Sequence, residues 1–261
     1  MGLLTGRSAL IVGIANERSY AWHIARSLFE HGCACRFTHL PGEKNHRRTL
    51  RAINALGVDD PWLEPLDASS DEDIERVFAA YERDFDSLHV LVHSIAFAQR
   101  EWLAIGKFTQ TPRQAFLSAI DISAYTLLGI TRAAVPLMER SGGGSVMAMS
   151  YYGAEKVVPG YNVMGVAKAT LECTTRYLAS ELGEKGIRIN TISGGYLRTL
   201  ASSAVDGSSD IESHNFTRAP LRRNVQGDDV GKTAVYLASD LSSGVTGENI
   251  YVDCGVNTIG V

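Results

Sequence analysis

The sequence predicts an α/β protein: one doubly wound parallel sheet of about seven strands with helices on both faces. Three observations carry this. Short apolar runs recur along the chain and are continuous rather than alternating, which suits strands buried on both faces. Segments of helical period alternate with them, which implies βαβ units. No low-complexity linker or internal repeat interrupts the pattern, so residues 1–261 are expected to form a single domain.

The elements follow in order. Ser8-Ala-Leu-Ile-Val12 is the first strand and ends at Gly13. Ser19 to His31 reads as a helix with Ser19 at its N-cap and Gly32 as its stop. Ala34 to Thr38 is the second strand, and Glu43 to Leu56 a basic helix closed by Gly57. Trp62 to Leu66 is the third strand, followed by Asp67. Asp71 to Phe85 is helical, with Ile74, Val77, Phe78 and Tyr81 on one face. Leu88 to His93 is the fourth strand. Thr111-Pro112 opens a long helix reaching about Arg140, with Pro suited to a first turn. Gly144 to Met149 is the fifth strand, Val158 to Gly183 a helix, and Ile187 to Ile192 the sixth strand. Residues 194–223 are polar and lack a period. Asp228 to Ser239 is a helix and Asn249 to Asp253 the last strand.

Composition narrows the function. Hydrophobic residues make up 45% of the 261, enough for a sizeable core, and the net charge of −4 argues against a nucleic-acid partner. No apolar run approaches the roughly 20 residues of a membrane span, and the first residues lack a signal-peptide pattern. Cys33, Cys35, Cys173 and Cys254 are scattered without a metal-ligand spacing, so no metal is expected. Free thiols in a cytoplasmic protein are the reading.

On a parallel sheet, ligands bind at the carboxyl ends of the strands. Gly13, Asp67, His93, Tyr151 and Gly194 all fall there. Gly13 permits a tight turn, and the next helix offers free N–H groups and a positive dipole end to a pyrophosphate, with the Ser19 hydroxyl as a further donor. One glycine stands where a dinucleotide fingerprint has three, so a plain βα loop capped by Ser19 is the competing reading. Asp67 suits an adenine amino group or, alternatively, a helix cap. His93 is more readily a core residue than a catalyst, while the backbone of His93-Ser-Ile95 can lie against a cofactor. Tyr161 and Lys168 are seven residues apart, close to two helical turns, so both side chains are expected on one face with Gly165 leaving room between them. A neighbouring ammonium favours a phenolate, and the pair suits a proton donor or oxyanion partner. An ordinary amphipathic helix also explains the spacing.

Several stretches in the right order resemble the short-chain dehydrogenase/reductase family, and within it the bacterial enoyl-acyl-carrier-protein reductases. They are Gly13-x5-Ser19-x-Ala21, Phe37-Thr38, His93-Ser-Ile-x-Phe97-Ala98, Asp121-Ile-Ser123, Ser150-Tyr151, Tyr161-Asn-Val-Met-Gly-x-Ala-Lys168 and Arg198-Thr-Leu-Ala201. Ketoacyl reductases of the family have Tyr-x3-Lys and a serine thirteen residues before the tyrosine. In this chain the spacing is Tyr-x6-Lys, Ala148 holds the serine position, and Tyr151 precedes Tyr161 by ten residues as in the enoyl reductases. The chain departs from the family at Tyr196, usually Pro, at Leu40, usually polar, and at Cys254, commonly Gly.

The resemblance implies a Rossmann-type fold and reduction of the 2,3 double bond of a trans-2-enoyl thioester, carried by acyl carrier protein or CoA, in fatty acid biosynthesis. The reductant is NADH, with NADPH possible. Tyr151, Tyr161 and Lys168 would be catalytic, and Ala98, Tyr151 and Tyr161 would meet substrate. Gly13, Ala15, Ser19, Tyr20, Asp67, Ala68, Ser94, Ile95, Lys168, Leu197, Arg198, Thr199, Leu200 and Ala201 would hold the cofactor. Residues 194–223 would be a substrate-binding loop, and the assembly a cytoplasmic homotetramer without nucleic-acid or membrane partners. Two other readings are a ketoreductase or alcohol dehydrogenase of the same fold, and a non-catalytic nucleotide-binding regulator.

Overall fold

The computed structural model describes residues 2–199, 213 and 216–260. Seven strands form one sheet, all parallel, in the order β3-β2-β1-β4-β5-β6-β7. They are β1 (Ser8–Val12), β2 (Ala34–His39), β3 (Leu63–Pro65), β4 (Val90–His93), β5 (Gly144–Ser150), β6 (Ile187–Gly194) and β7 (Asn249–Val252). The helices are α1 (Tyr20–Glu30), α2 (Glu43–Asn54), α3 (Asp71–Asp84), α4 (Arg113–Ile120), α5 (Thr126–Arg140), α6 (Asn162–Leu182) and α7 (Gly227–Ala238). The order reverses between β1 and β4, which opens a crevice at their carboxyl ends.

The continuous apolar runs divide between two cores because successive strand residues face opposite ways. Ala9, Ile11, Val90, Val92, Met147, Met149 and Ile192 pack with α1 and α7. Leu10, Val12, Leu91, Val146, Ala148, Ile187 and Ile189 pack with α3, α5 and α6. A third, smaller cluster joins Leu103, Ala119, Val163, Met164 and Ala167, with Ala98 and Tyr161 against it.

Two expected elements differ. The long helix begins at Arg113, with Pro112 as its N-cap, and a π turn at Asp121–Tyr125 separates α4 from α5. Single π turns of this kind recur at functional sites. The helix expected from Val158 begins at Asn162, so Tyr161 is its N-cap rather than a residue inside it. The cause is Asn162, which sits at φ 39° while its amide donates to the carbonyls of Trp102 and Ala104 at 2.9 Å each. Cys254 has φ 61°, a left-handed conformation that explains why glycine is common there.

Candidate active site

The first βα turn is built by Gly13. Its φ is 106°, and a Cβ there would lie 2.1 Å from the Ser94 carbonyl oxygen. Glycine therefore lets the loop lie against the end of β4, as the cofactor reading requires. Ser19 caps α1: its Oγ accepts from Trp22 N at 3.3 Å and donates to Asn16 O at 2.7 Å. Its hydroxyl thus fulfils the simpler of the two expected roles. Tyr20 donates to the Gly195 carbonyl at 2.6 Å, and its ring packs where a Cβ on Gly194 would come within 2.9 Å. The tyrosine therefore ties the start of α1 to the end of β6 across the crevice.

Asp67 does not cap α3; Ser70 does, accepting from Asp73 N at 3.1 Å. One Asp67 carboxylate oxygen accepts from Ser69 N and Oγ at 3.0 and 2.6 Å. Ala68 is buried beside it and Ala15 half-buried on the first turn. His93 is fully buried, and its Nε2 lies 2.8 Å from Thr126 Oγ1, whose own proton goes to Ile122 O at 2.8 Å. Nε2 is therefore the donor. Burial, with the Lys168 charge second, lowers the His93 pKa to about 3, so the ring is a neutral core group as expected. Ser94 and Ile95 continue from it, Ser94 N donating to Val12 O at 2.9 Å.

Tyr151, Tyr161 and Lys168 converge at the end of β5. The two tyrosine rings meet edge-on with centroids 4.8 Å apart. A Cβ on Gly153 would stand 2.5 Å from Tyr161 Cδ1, and one on Gly165 would stand 2.7 Å from Gly153 O. The space left by Gly165 is filled by the Gly153 backbone, so the two glycines together seat the Tyr161 ring. Burial, then the neighbouring phenol and Glu172, push the Tyr161 phenol well above its ordinary value. Desolvation thus favours the neutral phenol, so of the two expected roles Tyr161 suits the proton donor. Burial also raises Tyr151, to about 12. Lys168 is 4% exposed and donates from Nζ to Met149 O at 2.7 Å; burial lowers it to about 8, partly opposed by Glu172.

Two features have little or no signature in the sequence. Ser123, in the π turn and fully buried, accepts from Phe97 N at 2.9 Å and donates to Phe97 O at 3.1 Å, fixing the backbone next to Ala98. Its only sequence signal is the Asp121-Ile-Ser123 stretch. Glu172 lies one turn beyond Lys168 and accepts from Ser150 Oγ at 2.5 Å. An acidic residue on the buried stripe of α6 is the available signal. Leu197, Arg198 and Thr199 follow β6 at the same edge, and Leu200 and Ala201 lie outside the described residues. Among the described residues no cluster of His, Cys, Asp or Glu suits a metal, and no helix is long and apolar enough to cross a membrane.

The packing of Gly153 on Tyr161 gives a test. Gly153→Ala should lower turnover at least tenfold, because the added methyl moves the ring, while NADH affinity by fluorescence titration stays within about twofold; a fully active variant would show that the ring position is not critical.

The family model described as enoyl-(acyl carrier protein) reductase matches residues 13–257 of this chain. A relative in Nostoc sp., the enoyl-[acyl-carrier-protein] reductase [NADH] FabI, is 46% identical over 260 residues, covering 99% of each chain. The Bacillus subtilis protein of the same name is 42% identical, covering 97% of this chain and 96% of its own. The Bacillus cereus enoyl-acyl carrier protein reductase, solved with NADP+ and indole naphthyridinone, superposes with a TM-score of 0.96 at 42% identity over 100% of both chains. The Anaplasma phagocytophilum enzyme, solved with NAD, gives 0.93 at 42% identity, covering 100% of this chain and 97% of that one. Near-complete coverage at these identities settles the assignment: the chain belongs to the enoyl-(acyl carrier protein) reductase family.

Proposed function

We propose that the chain reduces trans-2-enoyl thioesters carried by acyl carrier protein, with NADH, in fatty acid synthesis. The observation that carries this is the convergence of a protonated, buried Tyr161, an edge-packed Tyr151 and a buried Lys168 at the carboxyl edge of the sheet. The Tyr-x6-Lys spacing and Ala148 argue against a ketoreductase, and the intact Tyr161–Lys168 pair against a non-catalytic regulator.

The residues present fit a dinucleotide. Gly13 opens the first turn to close approach, and the N-terminus of α1 faces that turn. Ala15, Ser19 and Tyr20 belong to it; Asp67, Ala68, Ser94 and Ile95 line the next strand ends, and Leu197 to Ala201 follow β6. One of the three Lys168 ammonium donors goes to Met149 O, so the others suit the ribose hydroxyls. When bound, the reduced nicotinamide supplies the hydride taken up by the enoyl β-carbon. Tyr161 donates a hydrogen bond to the thioester oxygen, and the bond strengthens as charge grows there. Tyr151 and Ala98 wall the acyl pocket; of the substrate loop expected at 194–223, residues 200–212, 214 and 215 lie outside the described residues. Four free cysteines suit a reducing compartment, and the cytoplasm is the location proposed.

NADH is favoured because exposed Leu40 follows the end of β2 and no cation is fixed at its tip. The His39 ring turns inward onto His46, 5.0 Å away; Arg47 pairs with Glu43 and Arg48 with Asn45. A homotetramer is supported by apolar side chains left exposed along α4 to α6, including Leu117, Tyr125 and Tyr177.

The assay is loss of reduced-nicotinamide absorbance with a crotonyl thioester. Tyr161→Phe should lower turnover about 100-fold with NADH affinity nearly intact, and Lys168→Ala should raise the NADH dissociation constant about tenfold. Unchanged turnover in the first, or unchanged affinity in the second, removes that residue from its role. Turnover efficiency should be several-fold higher with NADH than with NADPH at pH 7 to 8; equal efficiency would mean that Lys44, Arg47 or Arg48 reaches the 2′ position. Light scattering should give four times the 28.3 kDa chain mass, and a monomer would refute the assembly.

A further inference from the structure

Lys168 sits 4% exposed in the core, and a buried ammonium needs a counter-charge as well as a hydrogen bond. The Met149 carbonyl supplies the bond at 2.7 Å but only a partial charge. The next residue along β5, Ser150, points its hydroxyl at Glu172 Oε1 at 2.5 Å. Glu172 is itself 7% exposed and lies four residues after Lys168 on α6, so both side chains share one helix face. Two consecutive β5 residues thus grip two consecutive turns of α6, one through the ammonium and one through the carboxylate.

We propose that Glu172 is a positioning residue: held by the Ser150 hydroxyl, its carboxylate supplies the counter-charge that keeps Lys168 a fixed cation at the end of β5. The inference rests on the proposed role of Lys168 in holding the cofactor. Among the described residues Glu172 is the one charged neighbour that opposes the burial of Lys168, and the Ser150 hydrogen bond opposes the burial that raises Glu172 itself. The other groups near the pair do not replace it. His93 on β4 is neutral, Tyr151 and Tyr161 are protonated phenols, and Arg176 on α6 attracts Glu172 rather than Lys168. Glu155, after β5, raises Glu172, and both carboxylates raise Tyr251 on β7, so these groups lie on the carboxylate side.

Lys168 is charged below its pKa of about 8, so removing a negative neighbour lowers that value and moves the loss of charge to lower pH. Glu172→Gln keeps the volume and can still accept from Ser150 but carries no charge. NADH binding to the variant, by fluorescence titration from pH 6 to 9.5, should lose affinity at lower pH than the parent. The dissociation constant should be raised about threefold between pH 7.5 and 8.5, within the tenfold that loss of the amine itself costs, and less than about 1.5-fold at pH 6.5. Ser150→Ala should shift the profile the same way but less, because the hydroxyl favours the ionised carboxylate, and it serves if the first variant folds poorly. A purely packing role for Glu172 would weaken binding equally at every pH. Normal parent turnover with superimposable or parallel pH profiles overturns the inference. A parent that does not reduce a crotonyl thioester overturns instead the function on which it rests.

Discussion

The site depends on a charge buried at the carboxyl edge of the sheet. Lys168 is held by one hydrogen bond to Met149 O, with Glu172 as its anionic neighbour. A fall from the ordinary 10.5 to about 8 means that burial removes roughly 3 kcal/mol from the charged form, net of these partners. Complete desolvation of an unpaired ion would cost several kcal/mol more, so the partial compensation is what leaves the ammonium charged near neutral pH. That bond also joins α6 to β5, and everything else at the site is placed relative to those two elements.

Around it the chain uses close approach rather than loops of its own. Gly153 and Gly165 bring the turn after β5 onto α6 and leave a slot for the Tyr161 ring. Asn162 accepts a left-handed backbone to stop the helix one residue short of Tyr161, and its amide ties that helix start to the segment around Trp102. On the facing side, the π turn between α4 and α5 presents Ser123 to Phe97, and Thr126 just after it meets His93. The wall next to Ala98 is therefore fixed from both ends. A rigid, dry surround of this kind keeps Tyr161 protonated and makes its hydrogen bond to developing charge worth more than it would be in water.

Much of this is legible in the sequence. The seven strands are visible because parallel strands buried on both faces read as unbroken apolar runs, and β1 is placed to the residue. The family and the Tyr151–Tyr161–Lys168 group are visible through ordered motifs. What is not legible requires knowing which backbone meets which. Spacing alone puts Tyr161 inside α6, yet a tertiary bond from Asn162 ends the helix there. Spacing leaves a proton donor or an oxyanion partner open, and the choice depends on how deeply the ring is buried. The π turn has no periodic signature, and the cap role that is the alternative for Asp67 belongs to Ser70, a neighbour with an equally good side chain.

That a desolvated yet charged lysine organises the site can be tested on the atom itself. Titration of the Lys168 side chain by NMR, with lysine isotopically labelled and the signal assigned through Lys168→Arg, should show a midpoint near 8. A midpoint at the ordinary 10.5 would mean that the ammonium is solvated in the free enzyme, and Lys168 would not be the buried charge on which the site depends.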